Sequence, residues 1–153
     1  MNKLELKVPP PAVALLMALA MWLAAYGMDA LSFAVPERRA VSMALAALGI
    51  GVSAAGSLSF WRARTTVNPT RPEAASSLVT TGVFRVTRNP MYLGLVLVLA
   101  GWAAHLANVA ALAGPLLFAL YITRFQILPE ERVLAARFGP DFEAYRLRTR
   151  RWI

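Results

Sequence analysis

Four uninterrupted apolar stretches divide this chain of 153 residues, and each is close to the length that crosses a bilayer. They cover about residues 11–31, 40–61, 91–106 and 109–125. A helix needs roughly 20 residues to traverse a hydrocarbon core ~30 Å thick. In lipid the backbone must satisfy its own polar groups, so only helices and closed barrels span, and these runs lack a barrel's alternation. The prediction is an all-α polytopic membrane protein with about four transmembrane helices and further cytoplasmic helices near the C-terminus. It forms one integral membrane domain over residues 1–153. Composition agrees. The chain is 58% hydrophobic, against roughly 45–50% in average proteins, and a chain this short cannot bury that surplus against itself. The run Ala12–Tyr26 behind Lys3 and Lys7 has the outline of a signal peptide; with Met1 retained it is read as the first span.

The net charge of +8 invites a nucleic-acid reading, but the placement of the charges argues against it. All basic residues except Arg38 and Arg39 fall in the N-terminal stub, the loop after the second stretch, or the C-terminal segment from Arg124 onward. That asymmetry orients both termini and the long middle loop toward the cytoplasm, with membrane lipids as the surrounding partner and no nucleic acid. The heavy use of Ala and Arg suggests bacterial coding, for which the membrane is the inner one. The absence of cysteine excludes disulfides, thiolate metal sites and a cysteine nucleophile. His105, the sole histidine, sits near the opposite membrane face and forms no metal site by itself.

Within the second stretch, Ala47, Gly51 and Ala55 recur at four-residue spacing, a small-residue face for close helix approach. Gly114 and Pro115 predict a bend in the fourth span. Pro129, Glu130 and Glu131 suit the first turn of a separate helix that Gly139 and Pro140 end, and Asp141 suits the cap of the next. Phe142 and Tyr145 then share one face of that short helix.

The unusual polar chemistry is concentrated in residues 76–94 and 126–152. Arg88 and Asn89 stand immediately before Pro90, where the third helix begins. A helix start offers unpaired N–H groups to an anionic ligand group, and an arginine pairs bidentately with a carboxylate. The same residues also suit a plain interfacial anchor. Glu130 and Glu131 either act on a ligand or simply complement a helix dipole, and Tyr92 either lines a pocket or anchors at the interface.

The order TTGVFRVTRNPMYLG (80–94), a helical hairpin, then PEERVLAARFGPDFEAYRLRTRRW (129–152) resembles the isoprenylcysteine carboxyl methyltransferase and phospholipid methyltransferase superfamily. The resemblance covers about Leu78 to Trp152. It implies S-adenosylmethionine as methyl donor, with Ser76, Ser77, Leu78, Val79, Phe84, Arg88, Asn89, Pro90, Met91 and Tyr92 at the cofactor site. Glu130 matches the family's cofactor-binding glutamate. Asn89 stands where the prenylcysteine enzymes have histidine, and Gln126 where their eukaryotic members have a substrate-contacting arginine. Arg124, two residues earlier, and Glu131 are the candidate catalytic residues.

The function expected is therefore methyl transfer to a lipophilic acceptor at the cytoplasmic membrane face: an isoprenylcysteine-like carboxylate, a phospholipid or another lipid. A carboxylate acceptor needs no base, which fits a site whose only bases are two glutamates. Two alternatives stay open: an NADPH-dependent membrane reductase of related architecture, and a non-catalytic assembly subunit. A transporter is disfavoured because no charged residue falls clearly in mid-span.

Overall fold

The computed structural model describes residues 5–65 and 75–153. Lys3 and Arg71, two of the basic residues used to orient the chain, lie outside the described residues. Six α-helices follow in order: α1 (Pro10–Gly27), α2 (Arg38–Arg62), α3 (Pro90–Leu106), α4 (Ala113–Ile122), α5 (Leu128–Phe138) and α6 (Pro140–Arg148). No strand occurs among the described residues.

Among the described residues, three helices are long and apolar enough to cross a membrane: Pro10–Gly27, Arg38–Arg62 and a continuous Ala110–Phe138. The α3 helix is apolar but has 17 residues, about 26 Å at the usual rise, slightly short of a full core. Large apolar side chains face outward on α1 (Leu15, Leu16, Leu19), α2 (Met43, Leu48, Ile50) and α4 (Leu116, Leu117, Leu120). Such a belt is stable when its solvent is lipid.

The first span stops sooner than expected. α1 ends at Gly27, and Asp29–Leu31 form a separate 3-10 turn. That turn and the α3–α4 hairpin close one end of the bundle. Ser32 bridges to Asn108, whose buried amide donates to the Met28 carbonyl at 2.8 Å. Arg38 and Arg39 stand at this end; the other described basic clusters gather at the far end.

The close helix approach is real, but on a different face. α2 and α3 pack backbone to backbone, so that a Cβ on Gly49 would stand 2.5 Å from the Gly94 carbonyl and one on Gly101 2.8 Å from that of Ser42. Ser53 Oγ donates to the Met91 carbonyl at 3.2 Å. Gly49, Ser53 and Gly56 therefore form the contact stripe, while Ala47, Gly51 and Ala55 lie about half a turn round the helix and are exposed. Small residues occur on both faces of α2, so their spacing alone did not select the partnered one.

Pro115 sits in the first turn of α4, directly after the 3-10 turn Ala110–Leu112, where a missing N–H costs the helix least. Further on, the helix does not restart at Pro129. It passes from α4 into α5 through a π turn, Thr123–Ile127. In a regular ladder Pro129 would leave the Phe125 carbonyl without its donor. Here the Leu6 N–H takes that carbonyl at 3.1 Å, docking the N-terminal segment against the proline site. Glu130 and Glu131 consequently lie inside a continuous helix and do not face a free N-terminal dipole. Asp141 is likewise not a cap: Gly139 (φ 48) holds the cap position of α6 with no side-chain bond. Its left-handed backbone turns the chain sharply from α5 into α6.

Candidate functional site

The site begins with the turn ahead of α3. Gly82 adopts φ +62, a conformation that costs glycine little, and starts the 3-10 turn Gly82–Arg85. The turn pushes Phe84 inward, where it meets Phe60 of α2 edge to face at 5.1 Å. Phe84 also packs with Val79, Phe142 and Tyr145 in a buried cluster. Tyr145 Oη donates to the Phe84 carbonyl at 2.8 Å, tying α6 to the turn. Burial pushes the Tyr145 phenol up, so it stays a donor at physiological pH.

Pro90 opens α3, and Asn89 precedes it with a non-helical backbone (φ -130, ψ 54), since the following proline disfavours the helical region there. Asn89 does not cap the helix with its side chain. Its Nδ2 donates to the Arg151 carbonyl at 3.0 Å, and its N–H donates to Thr87 Oγ1 at 3.1 Å. Residues 149–151 run beside this turn as a strap. Thr87 bridges in parallel to Arg150, the Arg88 N–H donates to the Arg150 carbonyl at 3.0 Å, and Thr87 Oγ1 donates to that of Arg151 at 3.2 Å. The Arg88 guanidinium donates to the carbonyls of Arg146 and Thr149.

The two adjacent glutamates of α5 have different partners. Glu131 is clamped by Arg88 Nη2 at 2.7 Å and by Arg151, whose Nε and Nη2 reach its two oxygens at 3.1 and 2.7 Å. These bonds hold the Arg151 guanidinium above its ordinary pKa. Glu130 instead accepts one bond, from Tyr92 Oη at 3.0 Å. Tyr92 is also hydrogen-bonded to the buried Gln126. Around the Tyr92–Glu130 pair lies a small cavity of ≈ 20 Å³, walled by Phe60, Phe84, Asn89, Pro90 and Met91 and bordered by Arg88. Among the described residues, Arg88 Nε is the buried side-chain donor with no partner.

Seven of the residues singled out from sequence thus converge on one cavity: Phe84, Arg88, Asn89, Pro90, Met91, Tyr92 and Glu130. Others stand apart. Ser76 hydrogen-bonds Thr65 and Arg64, and Ser77 the Ala63 carbonyl, so both secure the loop to the end of α2. Leu78 and Val79 belong to the Phe84 cluster. Glu131 lies one layer behind the cavity, and Arg124 points elsewhere, to Glu5 at 3.1 Å. Sequence reasoning missed Phe60, Thr87 and Arg151. Two adjacent acidic residues near a cavity require counter-charge, so the basic tail RTRRW was a usable signal for Arg151. Phe60, one apolar residue in an apolar run, carried none.

The sequence model described as phospholipid methyltransferase matches residues 38–141. An uncharacterized protein of Haemophilus influenzae is 41% identical over 63 residues, which are 41% of this chain and 100% of that protein. No solved structure matches the chain.

Proposed function

This chain belongs to the phospholipid methyltransferase family, a family of membrane methyltransferases associated with lipid substrates, and on that premise we propose that it methylates a lipophilic acceptor with S-adenosylmethionine as donor, at the cytoplasmic face of the membrane. The observation that carries the reading is the Tyr92–Glu130 pair in a cavity with aromatic walls, at the end of the bundle where the basic residues gather.

The donor set suits this molecule chemically. Glu130, with one neutral partner, has acceptor capacity left for hydroxyl or ammonium hydrogens. Phe60, Phe84 and Met91 supply apolar and aromatic surface, and the unpartnered Arg88 Nε offers a donor. At ≈ 20 Å³ the cavity has room for roughly one water, so in this reading the 149–151 strap moves aside to admit the donor and returns to exclude water. When bound, the donor supplies a methyl group already activated on a sulfonium, which leaves the protein the work of alignment and dehydration. Glu130 and Asn89 orient the polar portions, and the walls keep bulk water out. Glu131, neutralised on both sides, positions Arg88 and the strap. The lipid acceptor reaches the site laterally between helices.

The test is calorimetric titration of S-adenosylhomocysteine into the detergent-purified protein, with NADPH in parallel. Micromolar binding of the first without the second is expected, weakened at least tenfold in Glu130→Ala and in Asn89→Ala. Wild-type affinity in both folded variants would remove these residues from the site. Binding of NADPH alone would replace the reading with the reductase.

A further inference from the structure

The two sides of α5 serve different neighbours. At about 100° per residue, Glu130, Glu131, Leu134, Ala135 and Phe138 share one side of the helix. That side meets Tyr92, Arg88 and the Phe84 cluster. Pro129, Arg132, Val133, Ala136 and Arg137 share the opposite side, and with Glu5 and Leu6 they enclose an open groove of about 500 Å³. This volume lies within the ~300–1,000 Å³ usual for sites that hold a small molecule.

The groove is amphipathic. Leu6, Pro129, Val133 and Ala136 give it apolar walls, and Arg132 and Arg137 give it basic ones. Arg124 and Arg132 converge on the Glu5 carboxylate at 3.1 and 2.5 Å, yet their side chains remain 52% and 59% exposed. A guanidinium has five N–H donors, so one shared carboxylate leaves donors for a second anion. Arg137 adds a further basic side chain to the groove lining. The groove stands just past the π turn, where the apolar α4 gives way to the charged α5.

We propose that this groove binds one anionic phospholipid as a fixed, non-reacting partner, its phosphate on the arginines and an acyl chain along the Leu6–Val133 wall. Guanidinium groups match phosphate oxygens in geometry as well as charge, and basic residues at a leaflet surface concentrate anionic lipids. The site is separate from the Tyr92–Glu130 cavity and does not depend on methyl transfer.

The test uses the full chain in neutral detergent, titrated with dioleoylphosphatidylglycerol, dioleoylphosphatidylcholine or inorganic phosphate and read by native mass spectrometry and thermal shift. Saturable retention of one phosphatidylglycerol per chain, in preference to phosphatidylcholine, is expected. Arg137→Gln should weaken it about fivefold. Val133→Trp, which fills the apolar wall without changing charge, should reduce it by at least as much, while circular dichroism confirms the fold of each variant. Equal retention of both lipids, or no effect of Val133→Trp in a folded protein, would overturn the proposal. So would competition by inorganic phosphate at stoichiometric levels, because it would make a free anion sufficient.

Discussion

Glu131 and Glu5 are each held by two arginines at the same end of the bundle, and their surroundings make them different devices. In the first triad Arg88 and Glu131 retain 9% and 13% side-chain exposure. In the second, Glu5 is buried at 3% but Arg124 and Arg132 face outward at 52% and 59%. The closed triad ties α3, α5 and the 149–151 strap into one unit; the open one latches the N-terminal segment and keeps cationic donors toward the surroundings. Burial decides which of these the same ion chemistry becomes. A desolvated pair is costly to break, whereas an exposed one adds little stability and remains available to other anions.

Breaking the closed triad should have the largest effect. Glu131→Ala leaves the Arg88 charge buried without its counter-ion and should cost about 3 kcal/mol, the low end for a broken buried pair because some water contact remains. A melt of the detergent-purified protein reads this directly, and a loss below about 1 kcal/mol would show that the carbonyls of Arg146 and Thr149 suffice for Arg88. Arg151→Gln, which removes the more exposed partner, should cost about 1–2 kcal/mol and speed proteolysis of the 149–151 strap. An unchanged cleavage rate would mean that the backbone bonds to Thr87 and Arg88 hold the strap alone.

The smallest effect should come from the open triad, and it sharpens the comparison through pH. The Glu5 carboxyl is held below its ordinary pKa: partial burial raises it, but the bonds from Arg124 and Arg132 prevail. A depressed folded pKa contributes stability above the ordinary glutamate value and loses it as pH falls through the depressed value. Acidification should therefore release the N-terminal segment before the bundle melts. Hydrogen exchange at the Leu6 amide, which donates to the Phe125 carbonyl, would report the release. Equal protection above and below the carboxylate range would show that the latch rests on that backbone bond and not on charge.

The all-α, apolar-helix architecture was legible because lipid-facing composition is a coarse, additive signal spread over some 20 residues, although the ends of the first and fourth stretches were not. The motifs around Asn89–Tyr92 and Glu130 were legible because their residue types and order are specific, and these residues do meet at one cavity. Two features were hidden for physical reasons. The partnered face of α2 depends on where α3 arrives, and the helix offers small residues on both sides. The continuity through Pro129 depends on a bond from Leu6, more than a hundred residues away in sequence. Arg124 shows the same limit: adjacency to Gln126 gave it a role on paper, but a helix turns about 100° per residue, and it faces Glu5.

The π turn at Thr123–Ile127 acts as a phase shifter between the two halves of one rod. A π turn accommodates an additional residue within the helix, so every side chain downstream is rotated by about 100° from where a uniform α-helix would carry it. The azimuth of Glu130 toward Tyr92, and that of Arg132 toward Glu5, are both set by those five residues. Deleting one of them would not be a local lesion. The apolar span would keep its length and lipid contacts, while both glutamates swung off their partners together.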